Sequence, residues 1–243
     1  MALSLQSIRV NIKAQMDLPV VPAIAARVVK ELTNPMSNAE DLAKIINHDP
    51  ALMGRILRIA NSPVYRRRIA TTTTDAAIVR LGRGLVKDLV ISLSTKSLFR
   101  KFDHFEEELW GHSIAVAIAA QYVAGLYKKM DPSEAFVGGL LHDVGKIVLT
   151  NSAPERSRKA AAAAIKQSKP FFVGEYEEFK FHHGTVGAVL MEVWGLSQPL
   201  IDASLYHHHI EQWDRIVEDS LPLVSIVVLA DQLVNHLGIN VGA

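Results

Sequence analysis

The chain has 243 residues, no cysteine, and 26 basic against 25 acidic side chains, which leaves a formal net charge of +1. Apolar residues make up 49% of the chain, which excludes an intrinsically disordered protein, and the lack of cysteine excludes both a disulfide-stapled secreted module and thiolate-ligated zinc sites. The near-neutral total charge gives no indication of a nucleic-acid-binding protein.

The charges are divided unequally along the chain. Residues 1–103 hold 16 of the basic and 8 of the acidic side chains, a net charge of +8, and residues 104–243 hold the other 10 and 17, a net charge of −7. Opposite signs in two segments indicate two lobes with different tasks. We therefore expect an N-terminal lobe over residues 1–103 and a C-terminal lobe over residues 104–243.

Helical spacing runs through the whole chain. Residues 24–32 carry apolar side chains at i, i+4, i+5 and i+8, the pattern of a buried helical face. Asn38 predicts the N-cap of a helix that ends near Asn47, and Asp49-Pro50 predicts the start of the next helix. Further helices are predicted over residues 76–81, 85–99, 106–129, 134–150, 158–167, 183–193, 198–207 and 221–237.

Strand-like alternation is absent over any useful length of the sequence, so we predict an all-α fold in two helical lobes. The longest nearly apolar runs, Ser113–Leu126 and Leu221–Ala230, are shorter than the ~20 residues that a helix needs to cross a bilayer. The N-terminus lacks a basic start followed by a long apolar segment, so it is not a signal peptide. We expect a soluble, cytoplasmic protein that does not bind membranes.

The histidines are concentrated in the second half of the chain. Eight of the ten lie between His112 and His236, and His142-Asp143 sits among apolar neighbours. Imidazole and carboxylate groups bind divalent metals where thiolate is missing. A buried His–Asp doublet is costly unless a partner compensates it, and a metal ion does so. The doublet therefore indicates either a metal site or a hydrogen-bonded core pair.

Residues 140–146, LLHDVGK, resemble the signature of the HD superfamily of metal-dependent phosphohydrolases. Residues 18–32, LPVVPAIAARVVKEL, and 46–62, INHDPALMGRILRIANS, narrow the resemblance to the HDOD subfamily, the HD-related output domains of bacterial signalling proteins. The segments Phe181–Gly184 and Tyr206–His208 are similar to later parts of the same family. The resemblance covers about residues 15–235 and implies that the C-terminal lobe is an HD-type helical bundle.

The resemblance also implies a set of metal ligands. The residues matching the mononuclear HD site are His112, His142, Asp143 and Asp231. Those matching a second metal site in the related HD-GYP phosphodiesterases are His183, His207 and His208. Asp143 is then able to bridge two metals, and Lys146 matches a lysine that approaches phosphate, which makes these two the candidate catalytic residues.

The cofactor implied is one or two divalent ions, with iron or manganese preferred and zinc or nickel as alternatives. Two metals would clamp the attacking and the leaving oxygen of a phosphate ester. Glu108 lies four residues before His112, hence on the same helical face. It is a further candidate, either as a ligand or as a hydrogen-bond partner of one.

Two functions follow from the resemblance. The first is a signal-transduction output module that binds metal and contacts a signalling protein through its basic N-terminal lobe. The second is a metal-dependent phosphohydrolase, a phosphomonoesterase or phosphodiesterase, acting on a nucleotide or other phosphate ester. The segment after the histidine pair, residues 209–213, lacks the GYP motif, which argues against cyclic-dinucleotide cleavage. A phosphate-containing ligand suits either function.

The run Arg66–Arg68 is either a solvated loop or a contact for an anionic partner. Residues 41–60 could form a helix-turn-helix, with Arg55 and Arg58 on the second helix. The connection between those helices lacks the glycine often found in that turn. Nucleic-acid binding is therefore the least favoured of the three functions.

Overall fold

The computed structural model describes residues 5–20, Arg27, 38–65 and 69–239. Over these ranges the chain forms α-helices, two short 3-10 helices and no strands, so the predicted all-α fold is confirmed. Of the predicted helix over residues 24–32, only Arg27 is described. The basic run Arg66–Arg68 also lies outside the described residues.

The described residues divide into two compact units. One lies within residues 21–98, and the other joins the residues up to Val20 to those from Phe99 onward. Helix α1 (Leu5–Gln15) precedes the predicted boundary at residue 103 but belongs to the second unit. Its Arg9 forms an ion pair of 2.6 Å with Glu192, and just after it the Pro19 carbonyl accepts the indole N–H of Trp194 at 2.9 Å.

The unit within residues 21–98 contains four described helices. They are α2 (Ala39–Asn47), α3 (Pro50–Ala60), α4 (Thr74–Leu81) and α5 (Arg83–Lys96). Asn38 and Asp41 form a reciprocal capping box at the start of α2, and Asp49 caps α3. These caps place both helix starts where the sequence predicts them, because the capping side chains satisfy backbone N–H groups that have no partner within the helix.

The second unit forms the larger bundle. Besides α1 it comprises α6 (His104–Tyr127), α7 (Pro132–Leu141), α8 (Val144–Ser152), α9 (Pro154–Lys166), α10 (Phe171–Phe179), α11 (His183–Val193), α12 (Gln198–Tyr206) and α13 (Leu221–His236), with 3-10 helices at Ile210–Arg215 and Glu218–Ser220. Helix α6 packs against α7 and α13, and α11 packs against α8 and α12. Helix α10 was not predicted from the sequence.

The single helix predicted over residues 134–150 is wrong, because α7 ends at Leu141 and α8 begins at Val144. The carbonyl of Gly139 accepts a hydrogen bond from His142 Nδ1 at 2.7 Å. Successive side chains of a continuous helix diverge by about 100°. The break allows the adjacent side chains of His142 and Asp143 to point into the same space.

Helix α6 is 24 residues long with a mean hydropathy of 1.3 in its most apolar window, so by length and composition it is able to span a membrane. The nearly apolar run Ser113–Leu126 is shorter than a membrane span, and α6 is longer because it also includes the polar residues before that run. The core helix of a globular protein has the same length and composition. In this fold α6 packs against α7 and α13 and buries His112.

Helices α8 and α11 approach each other closely at Gly145. A Cβ atom at this position would lie 2.0 Å from the His183 carbonyl oxygen and 2.7 Å from the Gly187 nitrogen. Both are backbone atoms, so neither can rotate away. We predict that Gly145→Ala lowers the free energy of unfolding by at least about 2 kcal/mol in chemical denaturation.

The matched control is Gly125→Ala on the exposed side of α6, where an added Cβ meets no atom within 4 Å. This variant should gain up to about 1 kcal/mol, because alanine favours the helix more than glycine does. A Gly145→Ala protein as stable as the wild type would contradict the close approach of α8 and α11.

Candidate metal centre

The structure brings all seven predicted metal ligands into two adjacent groups. One group is His112, His142 and Asp231, and the other is Asp143, His183, His207 and His208. Within each group the ligand atoms all lie within 4.8 Å of one another. The side chains come from α6, the α7–α8 break, the start of α11, the end of α12 and α13, so the site exists only when five parts of the bundle are assembled.

The carboxylate of Asp143 lies between the two groups. Its Oδ2 atom is 3.4 Å from His142 Nε2 and 3.7 Å from His112 Nε2. Its Oδ1 atom is 3.0 Å from His183 Nε2 and 3.5 Å from His207 Nε2. One oxygen therefore faces each group, so this carboxylate would be a ligand available to an ion at either group.

Hydrogen bonds fix the orientation of four of the imidazoles. The Nδ1 atoms of His112, His142 and His207 lie 2.7, 2.7 and 2.8 Å from backbone carbonyl oxygens, and His183 Nδ1 lies 2.6 Å from a carboxylate oxygen. Carbonyl and carboxylate oxygens only accept, so each Nδ1 carries a proton. In the neutral rings the Nε2 lone pairs are therefore free, and they converge on the two groups.

Two of the convergent atoms lack a hydrogen-bond partner. His142 Nε2 and Asp143 Oδ1 are buried without a hydrogen-bond partner. His183 Nε2 and His207 Nε2 lie 3.3 Å apart, so their lone pairs repel unless a cation, a proton or a metal ion, lies between them. Neutral imidazoles and carboxylates without thiolate are a donor set for divalent first-row metals. The residues present therefore fit a divalent metal ion.

The titration behaviour of the ligands suits metal binding. Burial lowers the pKa of His142 to about 4, so this ring stays neutral. Burial raises the pKa of Asp231, but the hydrogen bond with His112 and the nearby His142 outweigh it and lower the pKa to about 2. Ionised carboxylates and neutral imidazoles are the species that bind metals.

The pKa values of His112 and His183 are raised, unlike that of His142. Burial lowers the pKa of each ring, but the carboxylates of Asp231 and Asp143 around His112, and of Glu175 and Asp143 around His183, outweigh burial and raise it. A raised pKa favours an additional proton on Nε2 of these two rings when no metal is bound. A metal ion and these protons compete for the same positions, so metal binding releases protons.

Lys146, the predicted phosphate contact, lies beside the bridging carboxylate. Its Nζ atom donates to Asp143 Oδ2 at 2.6 Å. Burial lowers the pKa of Lys146, but the carboxylates of Asp143 and Glu175 outweigh it and raise the pKa, so the ammonium stays charged. Lys146 lines a cleft of about 350 Å³ together with Lys169 and the ligands His112, His208 and Asp231. The cleft brings two ammonium groups close to the metal ligands.

The structure adds one residue that the sequence did not indicate. Glu175 on α10 is buried, and its Oε2 atom accepts from both Nδ1 and the backbone N–H of His183, at 2.6 and 2.8 Å. Nothing in the sequence distinguishes it from Glu177 and Glu178 on the same helix, which form surface ion pairs. Glu175 holds the His183 ring with Nε2 directed at Asp143.

Two other histidines and one glutamate near the site do not belong to either group. Glu108, predicted as a further ligand or partner, lies 3.4 Å from His104 Nε2. His182 accepts the backbone N–H of Gly184 through Nδ1 at 3.2 Å and so caps α11. His209 lies 3.1 Å from His182, Nε2 to Nε2.

The HDOD domain matches residues 18–210, which is most of the chain. The chain belongs to the HDOD family. This confirms the resemblance that the sequence motifs carry, although the motif residues 21–26 and 28–32 are not among the described residues.

Solved HDOD-like structures share the architecture. An HDOD domain protein of unknown function from Geobacter sulfurreducens is 26% identical, with a TM-score of 0.84 over 97% of this chain and 79% of its own. A proposed phosphohydrolase from Shewanella amazonensis SB2B is 25% identical, with a TM-score of 0.76 over 97% of this chain and 83% of its own. The fold of this chain is therefore similar to the folds of both solved structures.

A longer relative comes from Treponema pallidum (strain Nichols), an uncharacterized protein that is 24% identical over 225 residues. The match covers 91% of this chain but 43% of the relative. The HDOD chain thus spans less than half the length of that protein.

We predict that Glu175→Gln weakens metal binding at the group of Asp143, His183, His207 and His208 by about 10–100-fold, as losses of such outer partners typically do. The neutral amide no longer offers a charged acceptor to His183 Nδ1. Competition titration with a chelator of known affinity measures the change. Glu177→Gln on the same helix, whose side chain is half exposed, should bind metal as the wild type does, and an equal loss in both variants would count against the role of Glu175.

Proposed function

We propose that this chain is a bacterial HDOD signal-transduction protein that retains an HD-type divalent-metal centre and acts in the cytoplasm as a regulatory output module. The observation that carries the proposal is the position of Asp143, which directs one carboxylate oxygen to each of two groups of imidazole Nε2 atoms. A buried cluster of imidazole lone pairs and carboxylates is costly unless cations neutralise it. Retention of the cluster supports metal binding as part of the function.

One ion would be held by the residues His112, His142, Asp231 and Asp143, and a second by Asp143, His183, His207 and His208. Iron and manganese are the preferred ions, and zinc and nickel are the alternatives. A bound divalent ion supplies Lewis acidity and lowers the pKa of a water that it binds. The protein residues hold the ligand rings in one tautomer through their Nδ1 hydrogen bonds, and Glu175 and Lys146 keep the charges balanced.

Metal analysis tests the proposal directly. The protein should take up about two ions per chain after separate incubation with iron, manganese, zinc and nickel followed by desalting. Asp231→Asn should lose the first ion and His207→Ala the second, because each removes a ligand from one group only. Asp143→Asn should weaken both, because its carboxylate faces both groups.

Elemental analysis and circular dichroism report the stoichiometry and the fold of each variant. The control is His104→Ala, since this imidazole is exposed and belongs to neither group. A folded wild-type protein that retains no more metal than the Asp143→Asn variant would contradict the proposed function.

The second candidate function is metal-dependent hydrolysis of a nucleotide or other phosphate ester. It is favoured by the cleft that places Lys146 and Lys169 beside the proposed ligands, since ammonium groups bind phosphate and stabilise charge that develops on it. In that function the Lys146 ammonium would bind a phosphate oxygen, and the Asp143 carboxylate would bind the metal ions.

Hydrolysis assays separate the two candidates. An output module should show the same rate with the wild type and with Asp143→Asn on nitrophenyl phosphate, bis(nitrophenyl) phosphate and cyclic nucleotides. A metal-dependent rate that falls at least 100-fold in Asp143→Asn would establish the enzyme instead.

The signalling partner is proposed to contact the basic N-terminal lobe. On α3, the exposed side chains of Arg55 and Arg58 lie three residues apart on one face, which suits an acidic protein surface. A partner of this kind predicts that duplex DNA binds only weakly at 150 mM salt in fluorescence anisotropy. Saturable DNA binding that is lost in Arg55→Glu/Arg58→Glu would favour nucleic acid over a protein partner.

A further inference from the structure

A second cavity lies beside the metal centre, and none of the proposed ligands lines it. Its volume is about 390 Å³, within the range of small-molecule sites. We call it the aromatic pocket. Its walls are Ile8 of α1, Phe172, Val173 and Tyr176 of α10, Phe181, His182 and Thr185 around the start of α11, Leu205 and Tyr206 of α12, and His209 and Gln212. Phe181 and Tyr206 are buried, whereas Tyr176 is about half exposed at the rim.

Among the described residues, the lining of the aromatic pocket carries no carboxylate, ammonium or guanidinium group. A charged ligand would lose its hydration there without gaining an ionic partner. Aromatic walls favour a flat, apolar ring that stacks on them. The cleft at the metal centre differs in this respect, because Lys146, Lys169 and Asp231 line it. The pocket therefore selects an uncharged and planar group.

One side of the pocket is polar. His182 accepts at Nδ1 from Gly184, so its proton lies on Nε2 and is donated to His209 Nε2 at 3.1 Å. His209 in turn donates from Nδ1 to Glu211 at 2.9 Å. The Gln212 amide makes two of its four hydrogen bonds within the protein, so it has donor and acceptor capacity left for the edge of a heteroaromatic ring.

Phe172 connects the aromatic pocket to the metal centre. Its ring lines both the pocket and the cleft. It stacks on the His208 ring with centroids 4.9 Å apart and an angle of 23°, and His208 belongs to the second ligand group. A ring that enters the pocket and shifts Phe172 must also change the packing of His208. Coupling of this kind is reciprocal, so metal at the second group must also change the affinity of the pocket.

We propose that the aromatic pocket binds an uncharged, planar heteroaromatic ring of the nucleobase type, and that its occupancy is coupled to metal loading through the stack of Phe172 on His208. The coupling rests on the metal-binding function proposed above, whereas the recognition of the ring does not. In an output module, the pocket supplies a site where a small ligand sets the state of the metal centre.

Isothermal titration calorimetry with adenosine and guanosine, on metal-free and metal-loaded protein, tests the proposal. At least one nucleoside should bind with a Kd below about 1 mM, and the Kd should differ at least about fivefold between the two metal states. The 5′-monophosphates form a second arm. If the nucleoside and its monophosphate bind with equal affinity, the ligand is a nucleoside. If the monophosphate binds more tightly, the ligand is a nucleotide whose phosphate reaches the cleft. Either result supports a ring-binding pocket.

Two tyrosine variants test the location of the site, and a phenylalanine variant tests the coupling. Tyr176→Ala removes a half-exposed wall without emptying the core and should weaken nucleoside binding about 5- to 150-fold, the range for loss of one base-stacking ring. Tyr122→Ala, which changes a more exposed tyrosine on α6 outside the pocket, should leave nucleoside binding as in the wild type. Phe172→Leu removes the ring that stacks on His208, so the Kd for the nucleoside should no longer differ between the metal-free and the metal-loaded protein.

The possible failures are distinguishable. No nucleoside or nucleotide binding up to 5 mM by a protein that loads metal normally overturns the pocket and leaves the metal-binding function intact. Nucleoside binding that is identical in both metal states, in a protein that does load metal, overturns the coupling. A protein that binds the nucleoside but takes up no metal contradicts the proposed function while the ring-binding part stands.

Discussion

The central constraint on this fold is the convergence of imidazole lone pairs in a buried space where, among the described residues, Lys146 donates to Asp143 and Asn235 donates to Asp231. Nδ1 donates to an oxygen in each of four ligand rings, those of His112, His142, His183 and His207. The Nε2 atoms of these rings therefore lie close to one another and to the carboxylates of Asp143 and Asp231. Burial removes the water that would otherwise separate these groups. The bundle therefore holds an arrangement that is unfavourable by itself and that a divalent cation stabilises.

Most of these ligands lie at the ends of helices of the second unit. Asp143 lies in the break before α8, His183 is the first residue of α11, and His207 follows the last residue of α12. At a helix end two adjacent residues can point into one space, which the middle of a helix does not allow. Gly145 and Gly187 then let α8 and α11 approach closely enough for Asp143 to reach His183.

The surroundings of the second ligand group differ from those of the first. Glu175 holds His183 by two hydrogen bonds, and Phe172 packs flat on His208. Both residues come from α10, so the position of this one helix affects half of the metal centre and one wall of the aromatic pocket. Such an element suits the proposed regulatory role, because a signal at one site must alter the packing at another.

The sequence by itself determined the helical class and most of the helix starts, because caps such as Asn38 depend only on neighbouring residues. The LLHDVGK motif, through its resemblance to the HD superfamily, indicated the candidate ligands. The sequence could not determine the break at His142-Asp143 or select Glu175 from three similar glutamates on α10. Those features depend on which carbonyl, helix or histidine lies nearby, and chain neighbours do not specify that. Only the tertiary structure placed α1 with the second unit, directed one oxygen of Asp143 to each ligand group, and formed the charge-free pocket beside them.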